Sequence, residues 1–318
     1  MKGCVIDKME KTKLNPKLID RLLIGGMILP IAVGWLLKIL FVPAAEGVEI
    51  TGAHIFFTIP LPLGGLPITE TQVNQWLVMI SVFFLCLYLT HGLKEIPDKK
   101  RQHLAEWIVE TTEKLVRGNM GEYFADFTPF IGAVLGLSAF SSLLSLTGLF
   151  APTSDLNVTA GWAILVFILI TYYKMKCGPV RYLKSFAEPV PFLAPLNVIS
   201  EFATPVSMAF RHYGNILSGM VISVLLATAL GGLSHLLLGW LPGFLGEIPL
   251  FRIGLPAVFS VYFDIFSGCL QAFIFAMLTM LYVAGGFPAE DYFNKQKLKM
   301  KKASKKTSKK LIKNSEVI

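Results

Sequence analysis

The stretch MAFRHYGNILSGM, residues Met208–Met220, lies inside an apolar segment that runs from Pro191 to Leu238. One bilayer crossing needs about 20 apolar residues, so a segment of this length must tilt strongly, bend, or form a hairpin within the membrane. It nevertheless contains a guanidinium, Arg211, that stays protonated at physiological pH. An arginine at the centre of a membrane helix costs about 2.5–3.5 kcal/mol even on insertion scales, which favours a functional role.

The whole chain has the composition of an integral membrane protein. Hydrophobic residues make up 54% of its 318 residues and charged residues 16%, a balance outside that of soluble domains. Five further segments are long and apolar enough to cross a bilayer: Leu22–Val42, Trp76–Leu93, Phe127–Phe150, Thr159–Tyr173 and Ile253–Gly285. We predict an all-α membrane protein with about six crossings. A cleaved signal peptide is the alternative for the first segment, but its length and Lys38 favour a retained helix.

The distribution of basic residues predicts the orientation of the chain. Lysine and arginine are concentrated in four stretches: Lys2–Arg21, Lys94–Arg117, Lys174–Lys184 and Lys295–Lys313. The alternate connections contain neither residue: Pro43–Gln75, Ala151–Val158 and Gly239–Phe251. Because basic loops stay in the cytoplasm, both termini are expected there.

The same pattern divides the chain into five parts. They are a basic cytoplasmic N-terminus (1–21), an additional helix (22–42), an external loop (43–75), a membrane core (76–288) and a basic cytoplasmic tail (289–318). The tail is expected to touch anionic lipid head groups rather than nucleic acid. After Pro97, an amphipathic stretch predicts a helix lying along the membrane surface.

Polar residues within the apolar segments are arranged on two sides of the arginine. Ser207, Arg211, Asn215 and approximately Gly219 recur every four residues and share a helix face. On the last segment Asp264 and Gln271 are two helical turns apart and again share a face. Glu201 falls toward the cytoplasm and Asp264 toward the exterior.

This arrangement suits an ion path of two offset aqueous clefts, with a fixed cation between them preventing a leak. A carboxylic acid beside the guanidinium would release its proton, and in lipid it would regain one. The chain offers no carboxylate of its own that could shuttle in this way, so a mobile partner subunit is implied. The alternative is that Arg211 pairs with Asp264 and merely locks the bundle.

Other classes of membrane protein are less well supported. A secondary transporter would predict internal repeats, and an intramembrane enzyme would need a metal or nucleophile motif such as H-E-x-x-H; neither pattern is found in the sequence. The four cysteines are scattered and suggest no metal site and no disulfide framework. No cofactor is expected.

Two motifs, PVSMAFRHYGNILSG and LQAFIFAMLTMLYVAGG, make the chain similar to subunit a of the F-type ATP synthase. Supporting stretches in that family's order are GLPITETQVNQWLVM, PDKKRQHLAEWIVE and APTSDLNVT, and the resemblance covers about residues 55–288. It implies a non-catalytic stator in the bacterial plasma membrane, partnered by a c ring, the b subunits of the peripheral stalk and the rest of the F0F1 complex. Two long C-terminal helices would pack against the ring, and H+ or Na+ would pass through two half-channels.

The resemblance also implies roles for individual residues. Arg211 corresponds to the essential arginine facing the ring, with Asn215, Gln271 and Ser207 close to it. Glu201 matches the acidic residue at the head of the fifth helix, and Asp264 an ionisable position in the external half-channel. Met220 stands where some members have an ionisable residue, so that half-channel is expected to rely more on Asp264 and Asp155, although Asp155 could be a plain helix cap.

Two further departures from the family pattern concern structure. His212 and Tyr213 stand where many members have leucine or proline and then phenylalanine, and they are expected to alter packing only. The additional N-terminal crossing would place that terminus inside, whereas members with five crossings have it outside.

Overall fold

The computed structural model describes residues 16–42, 52–60, 65–95, 99–176, 178–188, 190–240 and 261–287, with isolated positions 251, 254, 258, 259, 293, 297 and 300. Six of its helical segments are long and apolar enough to cross a membrane: Lys17–Phe41, Glu70–Thr90, Glu122–Thr147, Leu156–Lys176, Pro191–Leu238 and Val261–Gly285. The predicted all-α membrane fold with six crossings is therefore confirmed. The basic tail, most of the N-terminal stretch and the predicted start of the last crossing at Ile253 lie outside the described residues.

Eight α-helices and one short hairpin make up the described fold. The helices are α1 (Pro16–Phe41), α2 (Glu70–Thr90), α3 (Lys100–Met120), α4 (Thr128–Leu143), α5 (Leu156–Lys176), α6 (Pro179–Phe186), α7 (Ala194–Leu238) and α8 (Gly268–Gly285). A π-helical segment, Val261–Ser267, leads directly into α8.

The external stretch before α2 contains a hairpin of two antiparallel strands. Strand β1 (Ile55–Ile59) pairs with β2 (Leu66–Thr69), from Ile55 opposite Thr69 to Ile59 opposite Leu66. Helix α2 then begins at Glu70, whose backbone N–H donates to the carbonyl of His54 at 2.8 Å. The predicted start at Trp76 is six residues late because the first turns of α2 are polar yet buried, which hydropathy does not reveal.

Helix α7 is continuous over 45 residues. At 1.5 Å per residue it is about 68 Å long, roughly twice the hydrocarbon thickness of a bilayer. The alternative of a hairpin within this segment is therefore wrong, and a strong tilt or a bend of α7 remains as the way to accommodate its length. Pro205 lies inside the helix and is buried against the rest of the chain.

Helix α3 has the amphipathic character that its sequence predicts. Its apolar side chains Leu104, Trp107 and Ile108 are exposed, whereas Val116 and Met120 are buried in the core. An exposed apolar face beside charged residues fits a helix lying in the membrane interface.

The buried core joins α3, α4, α5, α7 and α8. One end of this core is aromatic, with Phe124 in edge contact with Tyr173 and Phe287. Helices α4 and α8 pack against each other, and so do α5 and α7. This packing fixes which face of α7 points inward and which points out of the chain.

Candidate functional site

Arg211 lies on the outward face of α7. Its side chain is exposed, as are those of Ser207 and Asn215, and apolar Phe210 flanks it with 55% of its surface exposed. Gly219, predicted on the same stripe, instead turns inward, where an added Cβ would lie 3.3 Å from the side chain of Phe263. The exposed surface of α7 thus carries a polar stripe flanked by an apolar side chain.

No carboxylate within the described part of the chain forms an ion pair with Arg211. The alternative in which Asp264 neutralises Arg211 and locks the bundle is therefore not what the structure shows. A permanent cation left without an internal counter-ion in an apolar segment calls for a charge or water from outside the chain.

Asn215 and Gln271 come together, one helical turn beyond Arg211. The Asn215 amide Nδ2 donates to Gln271 Oε1 at 2.7 Å, and Gln271 is 1% exposed. This hydrogen bond ties α7 to α8 beside the guanidinium.

Asp264 lies toward the outer end of the last crossing, within the π-helical segment. Its carboxyl group is half-buried, and the Ser145 hydroxyl is its hydrogen-bonding neighbour. Single-turn π segments are frequent at functional sites. Asp264 lies seven residues before Gln271, and its predicted position toward the exterior stays a prediction.

A row of hydroxyl groups on α4 was not singled out by the sequence analysis. Ser138, Ser141 and Ser142 are each at most 1% exposed, and Ser145 continues the row beyond the end of α4. Spacings of three, four and seven residues place all four on one helix face. That periodicity in an otherwise apolar segment is the signal by which the row could have been found.

These hydroxyls connect the outer side of the chain with the level of Arg211. Ser141 donates to Gln75 Oε1 on α2 at 3.1 Å, and Ser142 lies 3.1 Å from Thr153 Oγ1. Deeper in the bundle, Ser138 Oγ lies 3.3 Å from Nε2 of His212. Several neighbouring buried atoms, such as Gln75 Nε2, have no partner in the described part of the chain, which favours bound water there.

Asp155 caps helix α5. Its carboxylate accepts the backbone N–H of Asn157 at 2.9 Å and the hydroxyl of Thr71 at 2.5 Å. The capping interpretation is confirmed, and the additional bond places Asp155 at the outer end of the polar row. Its contribution to an ion path stays a prediction.

Glu201 is held by a lysine that the sequence analysis did not assign to the site. Lys174 Nζ lies 2.6 and 2.7 Å from its two carboxylate oxygens, and Tyr182 donates to the same group at 3.4 Å. Burial, and secondly the nearby Glu201 carboxylate, raise the pKa of Tyr182, so its hydroxyl stays protonated and able to donate. Glu201 is thus part of an ion pair rather than a lone acid.

The described residues contain no group of three or more His, Cys, Asp or Glu side chains placed to hold a metal ion. What they contain is a guanidinium facing outward, a row of buried hydroxyls and carboxamides near one end of the bundle, and a lysine–glutamate pair near the other.

Comparison with known proteins gives a consistent result. The profile of a family described as ATP synthase A chain matches residues 73–284. An ATP synthase subunit a of Legionella pneumophila is 31% identical over 241 residues, covering 75% of this chain and 94% of the relative. One of Moorella thermoacetica is 32% identical, with coverages of 70% and 92%. A Propionigenium modestum protein, ATP synthase subunit a, sodium ion specific, is 28% identical, with coverages of 76% and 88%.

Proposed function

Since the chain belongs to the ATP synthase A chain family, we propose that it is the stator subunit that passes H+ or Na+ to and from the carboxylates of a rotating c ring. As a multi-pass membrane subunit it couples this ion flow to ATP synthesis or hydrolysis, which partner subunits catalyse. The observation that carries the proposal is the exposed Arg211, which has no ion-pair partner among the described residues.

The guanidinium would work as a fixed electrostatic gate. A protonated ring carboxyl that approaches Arg211 loses its proton because a neighbouring cation stabilises the carboxylate. Arginine cannot itself relay the proton, since a guanidinium keeps its proton throughout the physiological pH range. Ions therefore cross only by riding the ring, and a direct leak past the gate is blocked.

Two polar routes would serve the gate from opposite sides. The outer route uses Asp264, the serine row of α4 and the Asn215–Gln271 pair, whose buried hydroxyl and amide groups can hold water. The inner route uses Glu201 with its partner Lys174. Asp155 would stand at the outer mouth and Ser207 one turn before the gate on the ring-facing surface.

The proposed partners follow from the same surfaces. The exposed stripe of α7, with apolar Val206 and Phe210 beside Arg211, is the face offered to the c ring. The b subunits of the peripheral stalk would bind elsewhere on the bundle and hold it against rotation. Both termini are proposed to be cytoplasmic, in a bacterial plasma membrane.

Replacing the gate tests this proposal. In vesicles carrying the assembled complex, Arg211→Ala is expected to abolish ATP-driven ion pumping, because no fixed charge then discharges the ring carboxyl. ATP hydrolysis by the detached catalytic sector should be unaffected. Ser218→Ala is the matched control, since Ser218 is exposed on the same helix and its hydroxyl donates to the backbone carbonyl of Asn215. Normal pumping by Arg211→Ala would refute the assigned role.

A further inference from the structure

His212 follows Arg211 in the chain but is buried in the bundle, whereas Arg211 is exposed. The side chain of His212 is 0% exposed, and its Nε2 lies 3.3 Å from Ser138 Oγ on α4. Trp162 of α5 and Phe275 of α8 hold the imidazole edge-on, with ring centroids 5.8 and 5.4 Å away. The other ring nitrogen, Nδ1, has no hydrogen-bond partner in the described part of the chain, so the bond to Ser138 is the polar contact that holds the ring.

This contact bears on the rotation of α7 about its own axis. Successive residues of an α-helix point about 100° apart, so fixing His212 inward fixes Arg211 outward. In a membrane, apolar packing alone specifies the rotation of a helix weakly, because lipid tails are as apolar as leucine side chains. A hydrogen bond between two helices adds specificity to that rotation. The Asn215–Gln271 bond provides a second restraint three residues further along α7.

The groups around the imidazole argue against a proton relay. To relay protons repeatedly, a neutral imidazole must either flip its ring or receive a new proton at its other nitrogen. The aromatic rings of Trp162 and Phe275 confine the imidazole of His212 and oppose such a flip. The neighbours of His212 from α4, α5 and α8 are a hydroxyl, an indole and a phenyl ring. The charged neighbour on α7 itself is Arg211, whose side chain is exposed on the outward face of the helix.

We propose that His212, held by Ser138, is a positioning residue that sets the rotation of α7 and so aims Arg211 at the ring. The inference rests on the proposed function of Arg211. It assigns a role to a side chain that the sequence analysis expects to alter packing only, and it predicts that the hydrogen bond, rather than the volume of the ring, is what matters.

Four variants in the assembled complex separate these possibilities. His212→Leu and Ser138→Ala remove the hydrogen bond and are expected to lower ATP-driven pumping of H+ or Na+ roughly threefold to tenfold, the range set by one interhelical bond. His212→Gln keeps a donor and acceptor and should retain most of the native rate. Met208→Leu, at a 2% exposed position one turn earlier, is the packing control and should pump normally.

Cross-linking reports the rotation directly. In a background without native cysteines, Ser207→Cys should form a disulfide with a ring cysteine, and the yield should fall in His212→Leu and Ser138→Ala but hold in His212→Gln. The amount of subunit in the membrane, measured for each variant, allows the rates to be corrected for assembly.

Three outcomes would overturn the inference: native pumping and cross-linking in His212→Leu, a defect in His212→Gln as large as that in His212→Leu, or an equal defect in Met208→Leu. With any of these outcomes, the proposed role of Arg211 would still stand if Arg211→Ala abolishes pumping. Normal pumping by Arg211→Ala would instead remove the proposed function itself.

Discussion

The acidic residue Glu201 forms an ion pair with Lys174, a partner from another helix. Their side chains are 17% and 26% exposed, and the two charges face each other at 2.6 Å. Two short contacts to one ammonium group fix the Glu201 carboxylate in place. The proposed inner route therefore ends at an acid that is paired and held in one orientation.

Replacing Lys174 alone, and then Lys174 together with Glu201, distinguishes a structural role of the pair from a role of Glu201 in ion transport. Lys174→Gln leaves the half-buried Glu201 without its cation, so we expect the thermal stability of the purified complex to fall, by less than the 3–5 kcal/mol typical of fully buried pairs. The double variant Lys174→Gln, Glu201→Gln should regain most of that stability while pumping stays slow. Full recovery of both would show that Glu201 is structural only.

At the scale of elements, α1 is bound to the rest of the bundle by close approach and by charge. Gly26 lets α1 lie against Phe84 of α2, and Arg101 of α3 forms a 2.8 Å ion pair with Asp20 of α1. Lys38 donates to the carbonyl of Gly148 at the other end of the helix. Helix α1 lies before the residues that match the family profile, so its packing can be disturbed without touching the site.

Two adjacent glycines provide a matched test of this packing. Gly26→Leu would drive a side chain into Phe84, whereas an added Cβ at Gly25 meets no atom within 4 Å. Overpacking of this kind costs about 1–3 kcal/mol, so we expect a lower thermal midpoint for Gly26→Leu and an unchanged one for Gly25→Leu, with pumping retained in both. Equal midpoints in the two variants would contradict the close approach of α1 and α2.

Hydropathy located the elements but not their boundaries or their inward faces. It placed six crossings because lipid-facing surfaces must be apolar, yet it missed the start of α2, where Thr71 and Asn74 are buried against protein. It could not choose between one helix and a hairpin for α7, since both satisfy backbone hydrogen bonds. The spacing of Ser207, Arg211 and Asn215 did give the outward stripe, whereas the partners Lys174 and Ser138 come from distant segments and needed the fold.

For the whole molecule, the even number of crossings predicts that both termini lie on the same side of the membrane. Six crossings return the chain to the side on which it started, and the basic stretches predict that this side is the cytoplasm. A reporter enzyme active only outside the cytoplasm should be inactive when fused at either terminus, and active when placed in the stretch 43–75 as a control. An active N-terminal fusion with an inactive C-terminal one would leave an odd number of crossings, and α1 would then not span. In that case the polar row from Asp155 to Ser138 would keep its direction, because the orientation of α2 to α8 is set by their own basic loops.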